Sequence, residues 1–273
     1  MRSNLLAAVL LAAGASASAV DIVVVAPESL SGPYREALKG VCSALGACPP
    51  VLAAGAEVPP ARVVIALGGL AARQRYSAGT MLVTALSPRY EARAREGSGS
   101  VVRVRMTFSP ETFARRLLLL KPQGKSAALL WSEPESGRFS EGVRAAAKRL
   151  GIAVTSVEVS DPDAVPQLLR GLPPVDSLWL APDSALVTPM TFGAACEYAR
   201  SASVSFFAPA PALAERCGLA GLAPDFFAAG LRAGAAAREA LAGAPSEPEA
   251  YPAAPGPDTL TDVRASTKTQ TNR

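Results

Sequence analysis

The residues best suited to chemistry are polar side chains in turns that follow apolar, strand-like runs. The clearest case is the turn Ala181-Pro182-Asp183-Ser184, which follows the strand-like run 175–180 and its apolar end Leu178-Trp179-Leu180. An Asp carboxylate here accepts hydrogen bonds from a ligand ammonium, and Ser184 offers a hydroxyl. The alternative interpretation is an ordinary turn in which Asp183 or Ser184 caps the helix predicted from about Thr188.

Similar turns follow other strand-like runs, and in an open α/β sheet such turns form the ligand crevice. Several of them carry a serine that is able to bind a carboxylate or hydroxyl, namely Ser29, Ser87, Ser132, Ser136 and Ser184. Aromatic side chains near the same turns are suited to pack on an apolar part of a ligand, namely Tyr34, Tyr90 and Trp131. Core packing is the equal alternative for Trp131, whereas Trp179, inside a strand, is expected in the core.

Two further features of these turns suit a ligand. Gly68 and Gly69 permit close backbone approach, although two glycines are far from a dinucleotide-binding fingerprint. Arg89 is a candidate partner for a ligand carboxylate, with simple surface exposure as the alternative. The sequence therefore predicts a small-ligand site made of a few polar groups in an apolar crevice.

Enzyme chemistry is not favoured by the residue types present. The chain contains no histidine, so it has no Ser-His-Asp or Cys-His arrangement, and neither a G-x-S-x-G motif nor a P-loop occurs. Isolated carboxylates such as Glu28 and Glu135 fit solvent-exposed turns better than a catalytic pair. We therefore expect no enzymatic activity, no cofactor and no metal.

Composition is typical of a folded soluble protein with one large or two medium lobes. The 273 residues are 49% hydrophobic and 18% charged. The formal charge of +4 arises from 27 Lys and Arg against 23 Asp and Glu. The basic residues are scattered among acidic ones, which does not favour a nucleic-acid partner.

The first 19 residues are typical of a secretory signal, with an apolar stretch followed by Ala17-Ser18-Ala19. We expect cleavage near Ala19 and a soluble periplasmic protein. Its four cysteines then lie in an oxidising compartment, and their short separations favour disulfides Cys42–Cys48 and Cys196–Cys217. Four cysteines permit three pairings, and free buried thiols are the remaining alternative.

The elements that position these turns occur in two similar sets. The first comprises a strand at 21–25, a helix from about Tyr34, strands at 62–67 and 81–86, and an edge strand at 101–105. The second comprises a strand at 126–131, a helix at 139–150, and strands at 177–180 and 204–207. Pro-Glu-Ser precedes the first helix of each set, so the sequence predicts two similar α/β halves.

The remaining segments are assigned one by one. Alternation predicts a strand at 153–159, and a short helix follows at 162–172. A short strand at 220–223 precedes an Ala-rich helix at 226–241, which begins after Pro224-Asp225. Five prolines make 244–258 an extended connection, and we expect a strand near 260–263 before a polar tail at 267–273.

In this order the chain resembles the extracytoplasmic substrate-binding proteins of ABC transporters, within the type I periplasmic-binding family that includes aromatic amino-acid binders. The resemblance covers about residues 20–245, and its specificity lies in an ordered set of segments rather than in one motif. The segments are Val64-Ile65-Ala66-Leu67-Gly68 with Ala71-Ala72-Arg73, residues 129–136, residues 145–152, residues 175–184, and Leu222-Ala223-Pro224-Asp225-Phe226 with Gly230.

The resemblance implies an α/β fold of two Rossmann-like lobes with parallel sheets, joined by crossing strands. Lobe one would comprise 20–107 plus 221–245, and lobe two 108–220 plus 257–266. The ligand would lie in the interlobe cleft, with Asp183 among its contacts.

The implied function is capture of a small molecule, an amino acid or similar organic compound, for an ABC permease in the inner membrane, by a monomeric protein. The turn Ala208-Pro209-Ala210-Pro211 departs from the family because it has almost no hydrogen-bonding side chain. The alternative is therefore an envelope protein-interaction or sensing module that keeps the fold with a degenerate pocket.

Overall fold

The computed structural model describes residues 20–87, 99–120, 123–133, 136–209, 213, 216–217, 220–221, 225–244 and 249–252. The expected signal peptide, Arg89, Tyr90, Glu135, the strand near 260–263 and the polar tail lie outside these residues. Among the described helices, none combines the length and apolarity needed to cross a membrane.

The chain is an α/β structure with two parallel sheets. The first sheet contains β1 (Val20–Ala26), β2 (Val51–Ala53), β3 (Ala61–Leu67), β4 (Met81–Ala85), β5 (Val101–Val104) and β11 (Glu249–Ala250). The second contains β6 (Ser126–Trp131), β7 (Ala153–Glu158), β8 (Ser177–Leu180), β9 (Ser205–Ala208) and β10 (Ala220–Gly221).

Strand order confirms the duplication predicted from the sequence. The first sheet has the order β11-β5-β4-β3-β1-β2, and the second has the order β10-β9-β8-β6-β7. Without β11, the two orders are the same, with β6 in the place of β1 and β8 in the place of β3. The strands form because their apolar, β-branched residues are buried on both faces, as at Val23, Val24 and Val25.

Helices cover both faces of each sheet. They are α1 (Gly32–Leu45), α2 (Gly69–Arg73), α3 (Pro110–Leu120), α4 (Gly137–Arg149), α5 (Val165–Arg170), α6 (Pro189–Ser201) and α7 (Phe226–Leu241). Side chains of α1 and α7 bury one face of the first sheet, and α2 covers part of the other. In the second sheet, α4 lies between β6 and β7 in the chain and packs against both.

Helix starts follow the capping residues in the sequence. Ser109 accepts the backbone N–H of Thr112 through its side chain, and Pro110 begins α3. Asp225 caps α7 in the same way by accepting the N–H of Ala228 at 2.8 Å.

Glycine permits the close approach of α1 and α7. A Cβ atom on Gly230 would lie 1.9 Å from the Ala37 carbonyl oxygen, and one on Gly40 would lie 2.2 Å from that of Phe227. The two helices therefore meet backbone to backbone.

Two predictions about elements differ from the structure, and two short strands were not predicted. The strand at 101–105 is not at the sheet edge, because β11 pairs with β5 on its outer side. The alternation of apolar and polar residues in this strand reflects the unequal burial of its two faces, because Val102 and Val104 are buried. The strands β2 and β11 have three and two residues, too short to show a period. The helix at 162–172 is a 3₁₀ turn, Pro162–Ala164, followed by α5.

Both disulfides have the predicted pairing. Cys42 is bonded to Cys48, close to the end of α1, and Cys196 of α6 is bonded to Cys217. They close loops with sequence separations of 6 and 21 residues.

Candidate ligand site at the carboxyl edges of the two sheets

Those of the predicted site residues that the structure describes lie in or beside the turns at the carboxyl ends of parallel strands. Each sheet has two neighbouring strands whose following connections run toward opposite edges of the sheet. These strands are β1 and β3 in the first sheet and β6 and β8 in the second. Ligands of open α/β sheets bind in the crevice at such a point. The topology therefore marks one candidate ligand position in each sheet, and described residues of the predicted set lie near both positions.

Asp183 lies at the crevice of the second sheet and is completely buried. Its Oδ2 accepts hydrogen bonds from the Ser132 hydroxyl at 2.7 Å and the Ser136 hydroxyl at 2.9 Å. Its Oδ1 accepts the backbone N–H of Ala185 at 2.8 Å. Three donors therefore satisfy the carboxylate from within the protein, and they join the turns after β6 and β8.

The capping interpretation of Asp183 and Ser184 is wrong in its detail. Thr188 caps α6, because its side chain accepts the N–H of Thr191 at 3.1 Å. The Asp183 side chain instead forms an Asx turn, in which its Oδ1 accepts the backbone N–H of Ala185 two residues later. Ser184 is exposed.

The turn after β6 is held by its two serines. The N–H of Ser132 donates to the Ser136 hydroxyl at 2.9 Å, and the N–H of Ser136 donates to the Ser132 carbonyl at 3.0 Å. Both side chains are buried. Because Ser136 directly precedes α4, this turn and the start of α4 are fixed together with Asp183.

In the first sheet the ring of Tyr34 packs on Gly68. A Cβ atom on Gly68 would lie 3.0 Å from the Tyr34 ring, and the residue has a φ of 97°. The Gly68 N–H also donates to the Ala85 carbonyl at 2.8 Å. Glycine is required here for its backbone conformation and for the close aromatic contact. Gly69 follows as the first residue of α2.

The end of β4 has two buried hydroxyls without a partner in the described part of the chain, those of Thr84 and Ser87. Thr84 is completely buried and Ser87 is 4% exposed. Leu86, between them, has a φ of 53°, which non-glycine residues adopt rarely. Unpaired buried hydroxyls and strained backbone both occur preferentially where a protein binds something.

The two tryptophans have different surroundings. Trp179 is buried, as expected, and its ring meets Phe113 edge-on at 6.1 Å. Trp131 is half-buried at the carboxyl end of β6, beside Ser132. Its indole N–H is buried without a partner among the described residues.

The structure thus brings together two groups of the predicted residues: Ser132, Ser136 and Asp183 in one, and Tyr34 and Gly68 in the other. Ser29 lies exposed in the turn after β1. Sequence reasoning missed Thr84 and Leu86. A polar residue inside the apolar run 81–86 was the available signal for Thr84, whereas nothing in the sequence marks the backbone of Leu86. Within the described ranges no three acidic or cysteine side chains are placed to hold a metal ion.

No protein-family model matches the chain, and no curated protein matches its sequence. Solved structures match it over most of its length. A substrate-binding protein with adhesive properties from Clostridium difficile, in a ligand-free, open structure, has a TM-score of 0.56 at 13% identity, over 89% of this chain and 95% of that one. An ABC domain from Streptococcus pneumonia in complex with L-Trp has a TM-score of 0.51 at 16% identity, over 86% and 90%.

A LacI-family transcriptional regulator from Bifidobacterium animalis also matches, with a TM-score of 0.45 at 11% identity, over 86% of this chain and 94% of that one. At such identities a likeness shows the fold alone. The first two structures named here, with TM-scores above 0.5, and the strand orders together show that the chain has a fold like that of type I periplasmic-binding proteins.

Proposed function

We propose that the chain is an exported solute-binding protein that captures a small organic molecule between the carboxyl edges of its two sheets. The observation that carries this proposal is the end of β4, where Ser87 has a buried, unpartnered hydroxyl next to the strained residue Leu86. Two solved proteins of similar fold support it, because one was solved with L-Trp and the other is described as substrate-binding.

In this proposal the unpartnered groups contact the ligand. The Ser87 hydroxyl and the Trp131 indole N–H form hydrogen bonds with it, and the Tyr34 ring packs on an apolar part. Gly68 and Gly69 let the backbone approach, and Arg89 pairs with a ligand carboxylate. Ser29 and Ser184, both exposed in their turns, add polar contacts at the rim.

Asp183 has a more restricted role than its position in the sequence suggests. Its carboxylate is completely buried and already accepts three hydrogen bonds. A ligand ammonium reaches it only by displacing one of the donors. We therefore propose that Asp183 holds Ser132 and Ser136 in place at the crevice, so that these serines and Trp131 meet the ligand.

The compartment and partner belong to the same proposal. The leader directs the chain to the periplasm, where its two disulfides form, and an ABC permease in the inner membrane receives the ligand. A lobe closure around the ligand, as in other binding proteins with hinges, would bury the groups named above.

The test is a thermal-shift screen of the purified chain against the common amino acids and other small organic acids and amines, followed by calorimetric titration of every hit. A ligand that binds the native state stabilises it by RT ln(1 + L/Kd), where L is the ligand concentration, so the melting temperature rises with ligand concentration and does so logarithmically above the dissociation constant. We expect saturable one-to-one binding. Absence of any binding at millimolar concentration across the screen would contradict the proposal.

A second candidate function is a protein-interaction module of the envelope. Two observations favour it: Asp183 is satisfied from within the protein, and Ala208 and Pro209, at the end of β9, have no hydrogen-bonding side chain. In that case the screen finds no small ligand, while crosslinking in the periplasm finds a reproducible protein partner.

A further inference from the structure

A second surface lies on the outer side of the second sheet, between β7 and α5. It is a groove of about 400 Å³, lined by Thr155 and Val157 of β7 and by residues of and after α5 such as Leu168 and Leu172. None of its lining residues is charged. The groove does not include any residue of the carboxyl-edge site.

The strand beside this groove has an open edge. In the described part of the chain, β7 pairs only with β6. The N–H groups of Ala153 and Val159 donate to carbonyls on the β6 side, each at 2.8 Å. Because the N–H and C=O of alternate residues point to the same side of a parallel strand, those of Val154, Ser156 and Glu158 point outward.

This edge lacks the features that usually keep sheet edges apart. It is six residues long and contains neither lysine nor proline, whereas β2, at the corresponding edge of the first sheet, has only three residues. A long edge whose charged residue, Glu158, stands at its end is open to pairing with another strand.

The charges around β7 differ between its two ends. The hydroxyls of Ser140 and Ser156 lie 2.7 Å apart, which places one flank of α4 beside β7. Arg144 and Lys148 follow Ser140 at four-residue intervals and are exposed, so they continue that flank toward the amino end of β7. Glu158, also exposed, ends the strand at its other end. One end is therefore basic and the other acidic.

We propose that a second copy of this chain binds at the β7 edge, with the two β7 strands antiparallel about a two-fold axis at Ser156. This register pairs the outward N–H and C=O groups of Val154 with those of Glu158 in the second copy. Each Glu158 then lies beside the basic end of the other copy, near Arg144 and Lys148. Thr155 faces Val157 of the second copy, so the uncharged grooves join across the axis.

The register is specific because it keeps like charges apart. The two Glu158 residues lie at opposite ends of the paired strands, separated by about 13 Å at the rise of a β-strand. A parallel pairing would place them side by side. The resulting dimer differs from the monomer that the family resemblance implied.

The experiment is sedimentation velocity of the full chain, from low micromolar concentration to its solubility limit. We expect a concentration-dependent monomer–dimer equilibrium. Glu158→Lys and Arg144→Glu, tested separately, should each weaken dimerisation roughly 10- to 100-fold, because each leaves like charges facing one another. The double variant reverses both charges and should restore dimerisation. Glu57→Lys, which changes an exposed carboxylate between β2 and β3, is the matched control and should leave it unchanged.

Thermal melts keep the result interpretable, because all three substituted positions are exposed and the variants should melt within a few degrees of the parent. A chain that stays monomeric at every concentration would overturn the proposal, and so would a dimer that is insensitive to Glu158→Lys. If an extended segment of another protein or of the chain's own tail occupied the β7 edge instead, the chain would stay monomeric at every concentration.

Discussion

The hydroxyl of Ser132 lies 2.7 Å from the carboxylate of Asp183, although the two residues are 51 positions apart in the chain. The bond joins the turns after β6 and β8, which are neighbours in the second sheet. The connections after these two strands run in opposite directions, so the bond links the two turns that border the candidate ligand position and does not cap α6. If the Asp183 carboxylate holds the two turns together, replacing it should lower the stability of the protein. If it only contacted a ligand, replacing it should lower the affinity for that ligand instead.

Asp183→Ala should lower the free energy of unfolding by about 3 kcal/mol, because it leaves the hydroxyls of Ser132 and Ser136 and the N–H of Ala185 buried without their acceptor. Asp183→Asn should cost only about 1 kcal/mol, since an amide oxygen still accepts from Ala185 and its NH₂ donates to the hydroxyls. Urea unfolding of the three proteins measures both differences.

Ser184→Ala is the matched control for these variants, because Ser184 is the exposed neighbour of Asp183. Its stability should stay within about 0.5 kcal/mol of the parent. If Asp183→Ala unfolds like the parent but no longer binds a ligand found in the screen, the carboxylate anchors the ligand directly and the role proposed here is wrong.

The sequence predicted the polar turn at Asp183 but not its burial. Its position after an apolar run marks the carboxyl end of a strand, and this much is local. The partners Ser132 and Ser136 reach Asp183 only because β6 and β8 are adjacent, and strand order depends on the packing of the whole sheet. Similarly, an unpartnered hydroxyl such as that of Ser87 becomes visible only when its surroundings are known.

Most of the fold was predictable because long, buried strands have apolar β-branched runs, as in β1, β3 and β4. The short strands β2 and β11 were missed because two or three residues form strands only through their neighbours. The Ala-rich pattern of α7 predicted a helix with its observed bounds, but not that Gly230 lies against the backbone of α1.

Gly230→Ala should therefore destabilise the protein by about 1–3 kcal/mol, because a Cβ atom there would lie 1.9 Å from the backbone oxygen of Ala37 and would force the helices apart. Gly193→Ala is the control, since it lies inside α6 with no atom within 4 Å of the added carbon. It should stabilise the protein by up to about 1 kcal/mol. Thermal unfolding measures the stability of both variants. A loss of stability in both would contradict the close contact between Gly230 and the backbone of Ala37.

The Glu111 carboxylate should make stability depend on pH. A hydrogen bond from Arg149 holds its pKa below the ordinary value, and a second one comes from Arg115. A depressed folded pKa stabilises the protein above the unfolded value, and this contribution is lost as pH falls through the folded value. The stability difference between the parent and Arg149→Ala should thus shrink as pH falls from 7 to about 3.

Urea unfolding across that pH range measures the Glu111 effect. Arg138→Ala is the control. Arg138 is an exposed cation of α4, the helix that contains Arg149, and it is not part of the ion pair between Arg149 and Glu111. Its stability difference from the parent should not follow the Glu111 titration. A constant difference for Arg149→Ala would show that the ion pair contributes nothing in solution.

The two disulfides should contribute unequally. On the loop-entropy account, closing a loop of 21 residues stabilises by about 3 kcal/mol, and closing one of 6 residues by about 2 kcal/mol. Replacing Cys196 and Cys217 by Ala should therefore lower the urea midpoint more than replacing Cys42 and Cys48. Equal or reversed losses would show that packing around the sulfurs, rather than loop closure, determines the difference.

Ser87 separates ligand binding from stability most directly. Its buried hydroxyl has no partner in the described part of the chain, so Ser87→Ala should leave the free energy of unfolding unchanged or raise it slightly. Thr80→Val is the contrasting variant, because the buried Thr80 hydroxyl donates to the Ala61 carbonyl at 2.9 Å. That change should cost about 1 kcal/mol of stability without altering affinity.

For a ligand found in the screen, Ser87→Ala should weaken binding about tenfold, as expected for one lost hydrogen bond. Calorimetric titration beside thermal melts measures both, and unchanged affinity in Ser87→Ala would remove the end of β4 from the ligand site.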